Sequence, residues 1–216
     1  YEVPAASLTA KGVAAVNLLQ LQPEEKITSI IHSPRNESEN GYLFMATIKG
    51  VVKKTSIDKY ANIRTNGLIS ITLDDGDELR YIRRTSGNDE LILSTSAGQA
   101  VRFDENDIRP MGRSARGVRG VRLRPNDWVV GMDVISDSSK KILVISKNGY
   151  GKMTNINLFA SHKRGGVGIK AATVTAKTGP IITARTVCDD AEELLIISEK
   201  GQTIRVGIND VPSLGR

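Results

Sequence analysis

The chain has 216 residues, 39% of them hydrophobic and 25% charged, enough to bury a sizeable core in one or two domains. No apolar run reaches the roughly 20 residues of a membrane helix and the start YEVP has no signal-peptide layout, so a cytoplasmic protein is expected. A single cysteine, Cys188, rules out an internal disulfide, the distant pair His32 and His162 offers no metal-ligand cluster, and the formal net charge of +6 points to an acidic partner.

Taken in chain order, two blocks alternate. The first to appear, KGVAAVNL (11–18), returns as NGLISITL (66–73), RGVRGVRL (116–123) and RGGVGIKA (164–171). Between its copies stand LFMATIKGVVKKT (43–55), LILSTSAGQAVRF (91–103), ILVISKNGYGKMT (142–154) and LLIISEKGQTIRV (194–206), each an apolar run, a polar pair, a glycine and a base a few residues on. Gly50, Gly98, Gly149 and Gly201 recur at intervals of 48, 51 and 52 residues. Val3-Pro4 returns as Val211-Pro212. A period near 50 marks a repeat protein.

The apolar runs, with Ile30-Ile31, are short, rich in β-branched residues and bounded by Gly, Asn, Asp and Ser, which predicts strands. SAG, KNG and EKG predict hairpin turns, because glycine reaches the positive φ they need. About four short strands per period suit an all-β, propeller-like disc of blades. Residues 33–40 and 85–89 are expected as exposed loops, and Phe44, Phe103, Trp128 and Phe159 as core.

Charge is segregated. No acid occurs from 138 to 188, where nine bases do, and RPMGRSARGVRGVRLR (109–124) holds six arginines without an acid. Acids gather at Glu24-Glu25, Asp74-Asp75, Asp77-Glu78, Asp189-Asp190 and Glu192-Glu193. Bases in phase with a repeat make a curved track for phosphates, whose neutralisation releases counterions without reading sequence. The residues expected to touch DNA are Lys11, Lys53, Lys54, Arg64, Arg102, Arg113, Arg116, Arg119, Arg122, Lys152, Lys163, Arg164, Lys170 and Arg205. Gly117, Gly120, Gly165, Gly166 and Gly168 either let main-chain N–H groups approach phosphates or serve turns and close packing. Aromatic residues are only 4%, so no stacking platform for single strands is expected and duplex is preferred.

Over essentially its whole length, through YEVPAASLTAKGVAAVNLLQL, LFMATIKGVVKKT, IRPMGRSARGVRGVRL and NGYGKMT, the chain resembles the C-terminal domain of the DNA gyrase A subunit. That resemblance implies a β-pinwheel, a disc whose blades have their own strand connection and whose basic rim wraps duplex DNA, so that gyrase adds negative supercoils at the expense of ATP. It implies no catalytic residue and no cofactor in this domain, with ATP and Mg used elsewhere in the enzyme, and it implies two partners, the remainder of the gyrase A subunit plus the gyrase B subunit. The family box, of the type QRRGGKG, is matched only by HKRGGVG (162–168), with His and Val in place of Gln and Lys, and this is read as an ordinary repeat block. Four motif pairs against six blades in the family imply that residues 1–216 form a single pinwheel domain without its first blades, the box lying ahead of Tyr1.

The paralogous topoisomerase IV A subunit, with a degenerate box, is the alternative within the resemblance. A propeller that binds proteins is the alternative outside it. An enzyme is disfavoured: neither histidine flanks a nucleophile motif, and Tyr81 in ELRYIRR is expected to pack rather than to cleave DNA as the Arg80-Tyr81 pair suggests.

Overall fold

A computed structural model describes residues 5–7, 9–21, 25–31, 41–63, 66–135, 139–188 and 190–216, the side chains of 15, 139 and 140 excepted. Regular structure among them is all β, with short 3-10 turns. No helix among the described residues is long and apolar enough to cross a membrane.

Four hairpins repeat along the chain: β1 (Tyr42–Thr47) with β2 (Val51–Ser56), β4 (Glu90–Thr95) with β5 (Gln99–Asp104), β8 (Ser139–Ser146) with β9 (Gly151–Asn155), and β12 (Glu193–Ile197) with β13 (Thr203–Gly207). Each is closed by one device. Gly50, Gly98, Gly149 and Gly201 stand at φ of +82°, +76°, +82° and +78°. Their N–H groups donate to the carbonyls of Thr47, Thr95, Ser146 and Ser198 at 2.9 to 3.1 Å. A three-residue step ending in a left-handed glycine is a hairpin turn that only glycine enters without strain.

A return strand flanks the first strand of each of three hairpins: β3 (Leu79–Thr85) on β1, β7 (Val129–Ile135) on β4 and β11 (Ile181–Cys188) on β8. The fourth strand comes from the following repeat. The two-residue β6 (Val118–Arg119), which follows β5 in the chain, pairs with β2, and β10 (Ile169–Lys170), which follows β9, pairs with β5. The sheets are therefore β3-β1-β2-β6, β10-β5-β4-β7, β11-β8-β9 and β12-β13, with four, four, three and two strands. Neighbouring repeats are tied by exchanged strands, and four-stranded blades are formed only where the next repeat supplies the closing strand.

The core lies between successive sheets, as the unbroken apolar runs require, because alternate residues of a strand face opposite sides. On β4, Leu91 and Leu93 meet Phe44, Ala46 and Val52 of the first sheet, while Ile92 meets Ile142 and Val144 of the third. On β8, Leu143 and Ile145 face the other way, toward Leu194, Ile196 and Ile208. Full burial of such a side chain contributes about 1.5–3 kcal/mol. Phe44, Phe103 and Phe159 are core as expected, with the first two rings 6.1 Å apart. Trp128 is not core: it is 43% exposed, because it precedes β7 in a turn whose Asp127 carboxylate accepts from Ser96 Oγ and the N–H groups of Ala97 and Trp128. Ile30-Ile31 forms no strand, and Ile30 is 85% exposed. The loop expected at 33–40 and the Val3-Pro4 repeat lie outside the described residues; residues 86–89 do connect β3 to β4. Tyr81 is half-buried, with its hydroxyl 3.4 Å from the Val129 carbonyl and its pKa pushed up by burial, so it packs.

The structure also shifts one alignment. Gly50 O accepts from the N–H groups of Gly120 and Val121, and Gly98 O from those of Ala171 and Ala172. RGVRGVRL therefore matches residues 167–174, VGIKAATV, three residues beyond RGGVGIKA. Arg119 corresponds to Lys170 and Gly117 to Gly168, because the N–H groups of the two residues that follow each closing strand bond the hairpin-glycine carbonyl, whatever the charges around them.

Candidate nucleic-acid interface

β6 and β10 lie at one edge of their sheets and β3, β7 and β11 at the opposite edge. The segments that carry β6 and β10 run side by side and are bonded to one another: Arg122 N–H to Gly166 O at 2.8 Å, Gly165 N–H to Gly120 O at 2.6 Å, and Arg164 Nη1 to Arg119 O at 2.9 Å. One repeat earlier Thr72 N–H meets Ala115 O in the same way, at 3.4 Å. Successive repeats thus make a continuous edge.

Along it the arginines of 109–124 point outward. Arg109, Arg116, Arg119, Arg122 and Arg124 are exposed, as are Lys163, Lys170 and Lys177, while Arg113 and Arg164 are half-buried. Among the described residues Arg109, Arg119, Arg122, Arg124 and Lys170 form no ion pair. Arg116 bridges Asp74, and Lys163, 90% exposed, meets Asp107 at 2.6 Å. That hydrogen bond raises the Lys163 pKa, so the amine stays charged. Arg109, Arg124 and Lys177 were not among the residues selected from sequence, although the same acid-free stretches contain them.

The opposite edge is partly neutralised. Asp133 on β7 accepts from Arg83 of β3 at 2.7 Å and from Arg185 of β11 at 3.3 Å, and the N–H of Thr186 completes the set at 2.9 Å. Burial raises the Asp133 pKa while these donors oppose the rise. One carboxylate between two guanidiniums offsets one of their two positive charges.

Five residues expected on the DNA surface are bonded within the fold instead. Lys53 and Lys54 are fully buried: they lie on β2, covered by the adjoining segments. Lys53 donates to Ser70 O at 2.5 Å and to Arg113 O, and desolvation lowers its pKa to about 8. Lys54 pairs at 2.9 Å with the equally buried Glu105 and stands 4.4 Å from the Tyr42 ring centroid. Arg102 is bound by Glu90 and reaches the carbonyls of Ile156 and Phe159 on the next blade. Lys152, half-buried, donates to Gly215 O at 2.5 Å, its pKa lowered first by burial and then by Lys170. Arg205, exposed, bonds Glu193 at 2.6 Å, as Arg102 bonds Glu90 two repeats earlier. A base three or four residues past each hairpin glycine is thus engaged by a partner within the fold, in its own hairpin or on an adjoining segment. Lys11 is exposed in the N-terminal segment, and Arg64 lies outside the described residues.

The glycines divide. A Cβ on Gly117 would lie 2.6 Å from Val52 O, on Gly168 2.5 Å from Ala100 O, and on Gly120 2.5 Å from Val52 Cγ1, so these three serve close strand packing. Gly165 and Gly166 meet nothing nearer than 3.5 Å and leave the main chain open at the edge.

Successive β-sheets packed face to face and interlocked by exchanged strands define a propeller-type protein of the β-pinwheel kind. A family model described as the DNA gyrase C-terminal domain, β-propeller, matches residues 1–33, 41–86, 89–136, 140–188 and 192–216, and the chain belongs to that family. The DNA gyrase A subunit of Staphylococcus epidermidis is 40% identical over 217 residues, spanning 100% of this chain and 24% of that protein, and its Staphylococcus aureus counterpart gives the same figures. The chain thus spans about a quarter of the curated relatives it matches. Among solved structures, the C-terminal domain of DNA topoisomerase IV aligns with a TM-score of 0.86 at 27% identity, covering 95% of this chain and 64% of that one. A DNA gyrase A C-terminal domain aligns with 0.84 at 26%, covering 95% and 68%.

Proposed function

We propose that this chain binds duplex DNA without sequence preference along the edge formed by residues 109–124 and 163–170, bending it around the blades. Exposed arginines on that hydrogen-bonded edge, without an ion pair among the described residues, carry the reading. Each phosphate neutralised releases counterions, and repeated contacts offset a bending cost of about 1–6 kcal/mol. In the whole protein the bent segment would be presented for strand passage by a type II topoisomerase in the bacterial cytoplasm, at the nucleoid. The partners there would be the remainder of the gyrase A subunit plus the gyrase B subunit. Cleavage, ATP and Mg would belong to those other parts, and this domain would need no cofactor.

The likeness to the topoisomerase IV domain favours a second reading, the C-terminal domain of a topoisomerase IV A subunit, in which the DNA is engaged without a full wrap. Sealing nicked circles with ligase in the presence of the protein separates them. A handed change in linking number is expected of a wrapping domain, and binding without such a change indicates the second reading. Loss of affinity that is steep and log-linear in salt supports DNA binding itself, whereas no complex with long duplex favours a protein-binding propeller.

A further inference from the structure

Two of the bases on the edge are held by acids from the preceding repeat. Arg116, ahead of β6, bonds Asp74, which follows the earlier block 66–73; Lys163, ahead of β10, bonds Asp107, in the 3-10 turn Glu105–Asp107 after β5. Arg164 binds the same Asp107, through its carbonyl at 3.1 Å and weakly through its carboxylate at 3.4 Å. Both bridges are solvent-exposed on the base side, with Arg116 66% and Lys163 90% exposed. The Arg116 pair is exposed on both sides and such pairs are weak, and although Asp107 is mostly buried the Lys163 ammonium is open to solvent, so a phosphate can reach either base. Other acids are not equivalent: Asp75, beside Asp74, and Asp190, in the last repeat, are exposed and form no ion pair among the described residues.

Resting on the DNA-binding reading, we infer that Asp74 and Asp107 are internal counter-ions of the track, occupying Arg116 and Lys163 in the free protein and giving them up to DNA phosphates, so that they set the affinity of the edge. The exchange opens two ties between successive repeats as DNA arrives. It also lowers the salt dependence, because each freed carboxylate takes up a cation and cancels part of the counterion release.

The test compares the full chain with D74N/D107N and with the control D75N/D190N, which has the same net charge, by titrating a long linear duplex at several salt concentrations. Tighter binding by D74N/D107N on the order of tenfold at low salt, with a salt slope steeper by up to roughly two and the control within twofold of the parent, supports the inference. Equal gains in both variants reduce the effect to net charge and overturn it, as does unchanged or weaker binding by D74N/D107N. Failure of the unsubstituted chain to bind duplex removes the functional reading itself and is seen before any variant is compared. Since the Asp107 side chain is mostly buried, thermal unfolding accompanies the titrations. D74N against D75N gives the same comparison if the double variant does not fold.

Discussion

Lys53 gives its ammonium to the main-chain carbonyl of Arg113, sixty residues further on, so a lysine of the first blade holds in place the start of the segment that closes that blade. Lys152 repeats the contact two blades later, on the carbonyl of Gly215. The Lys53 amine, fully buried, is not available to a phosphate as folded. Replacing Lys53 by Met should leave the salt slope of DNA binding unchanged, and replacing it by Ala should lower stability by about 2–4 kcal/mol, from the lost stem packing and two abandoned carbonyls. Urea unfolding beside a salt titration checks both.

The depressed Lys53 pKa fixes a pH dependence. At about 8 in the fold against about 10.4 in the unfolded chain, the unfolded state holds more protons between those values, so this group's contribution to stability rises with pH across that window. The stability difference between the parent and K53M should move in the parent's favour from pH 8 to pH 10. A flat or falling difference would contradict the assignment.

On the outer edge the expectation is the reverse. Arg116, Arg119 and Arg122 replaced together by Glu should leave the unfolding midpoint nearly unchanged, because all three side chains are exposed. Duplex binding should weaken strongly, with the salt slope reduced by roughly three. Unchanged binding would place the track elsewhere on the surface.

Glu105 is fully buried and accepts from the Lys54 ammonium, the Thr85 hydroxyl and the N–H groups of Gly87 and Asp89, at 2.7 to 2.9 Å. Glu105→Ala should destabilise by about 3–5 kcal/mol, since it strands a buried ammonium. A smaller loss in E105A/K54M than in E105A alone, measured by denaturant unfolding, would show that the uncompensated charge accounts for the difference.

Two glycines with nearly the same φ should respond differently to alanine. Gly149, at +82° with open space around a Cβ, should lose about 1 kcal/mol from backbone strain alone. Gly168, at +85° with Ala100 O 2.5 Å from the Cβ position, should lose several times as much, since β10 can no longer sit against β5. Melting temperatures of the two variants decide this.

The repeat, the hairpins and the all-β class were legible in the sequence because they rest on local chemistry: a glycine every fifty residues at a turn that needs positive φ, and apolar runs without polar alternation that must be buried on both faces. The acid-free stretch 109–124 likewise announced a basic surface, since exposed charge of one sign needs no tertiary contact to be recognised. Which bases face solvent was decided only in three dimensions. Lys53, Lys54 and Arg102 show the same spacing as a phosphate track would, and they are buried or tied because the closing strand of each sheet arrives from the next repeat and covers them. That exchange also matched 167–174 rather than 164–171 with 116–123, and packing between sheets gathered Arg83 and Arg185 from two blades around the Asp133 carboxylate of a third. Residues about fifty apart in the chain meet through packing between sheets, and spacing along the sequence carries no record of which side of a sheet the following repeat will cover.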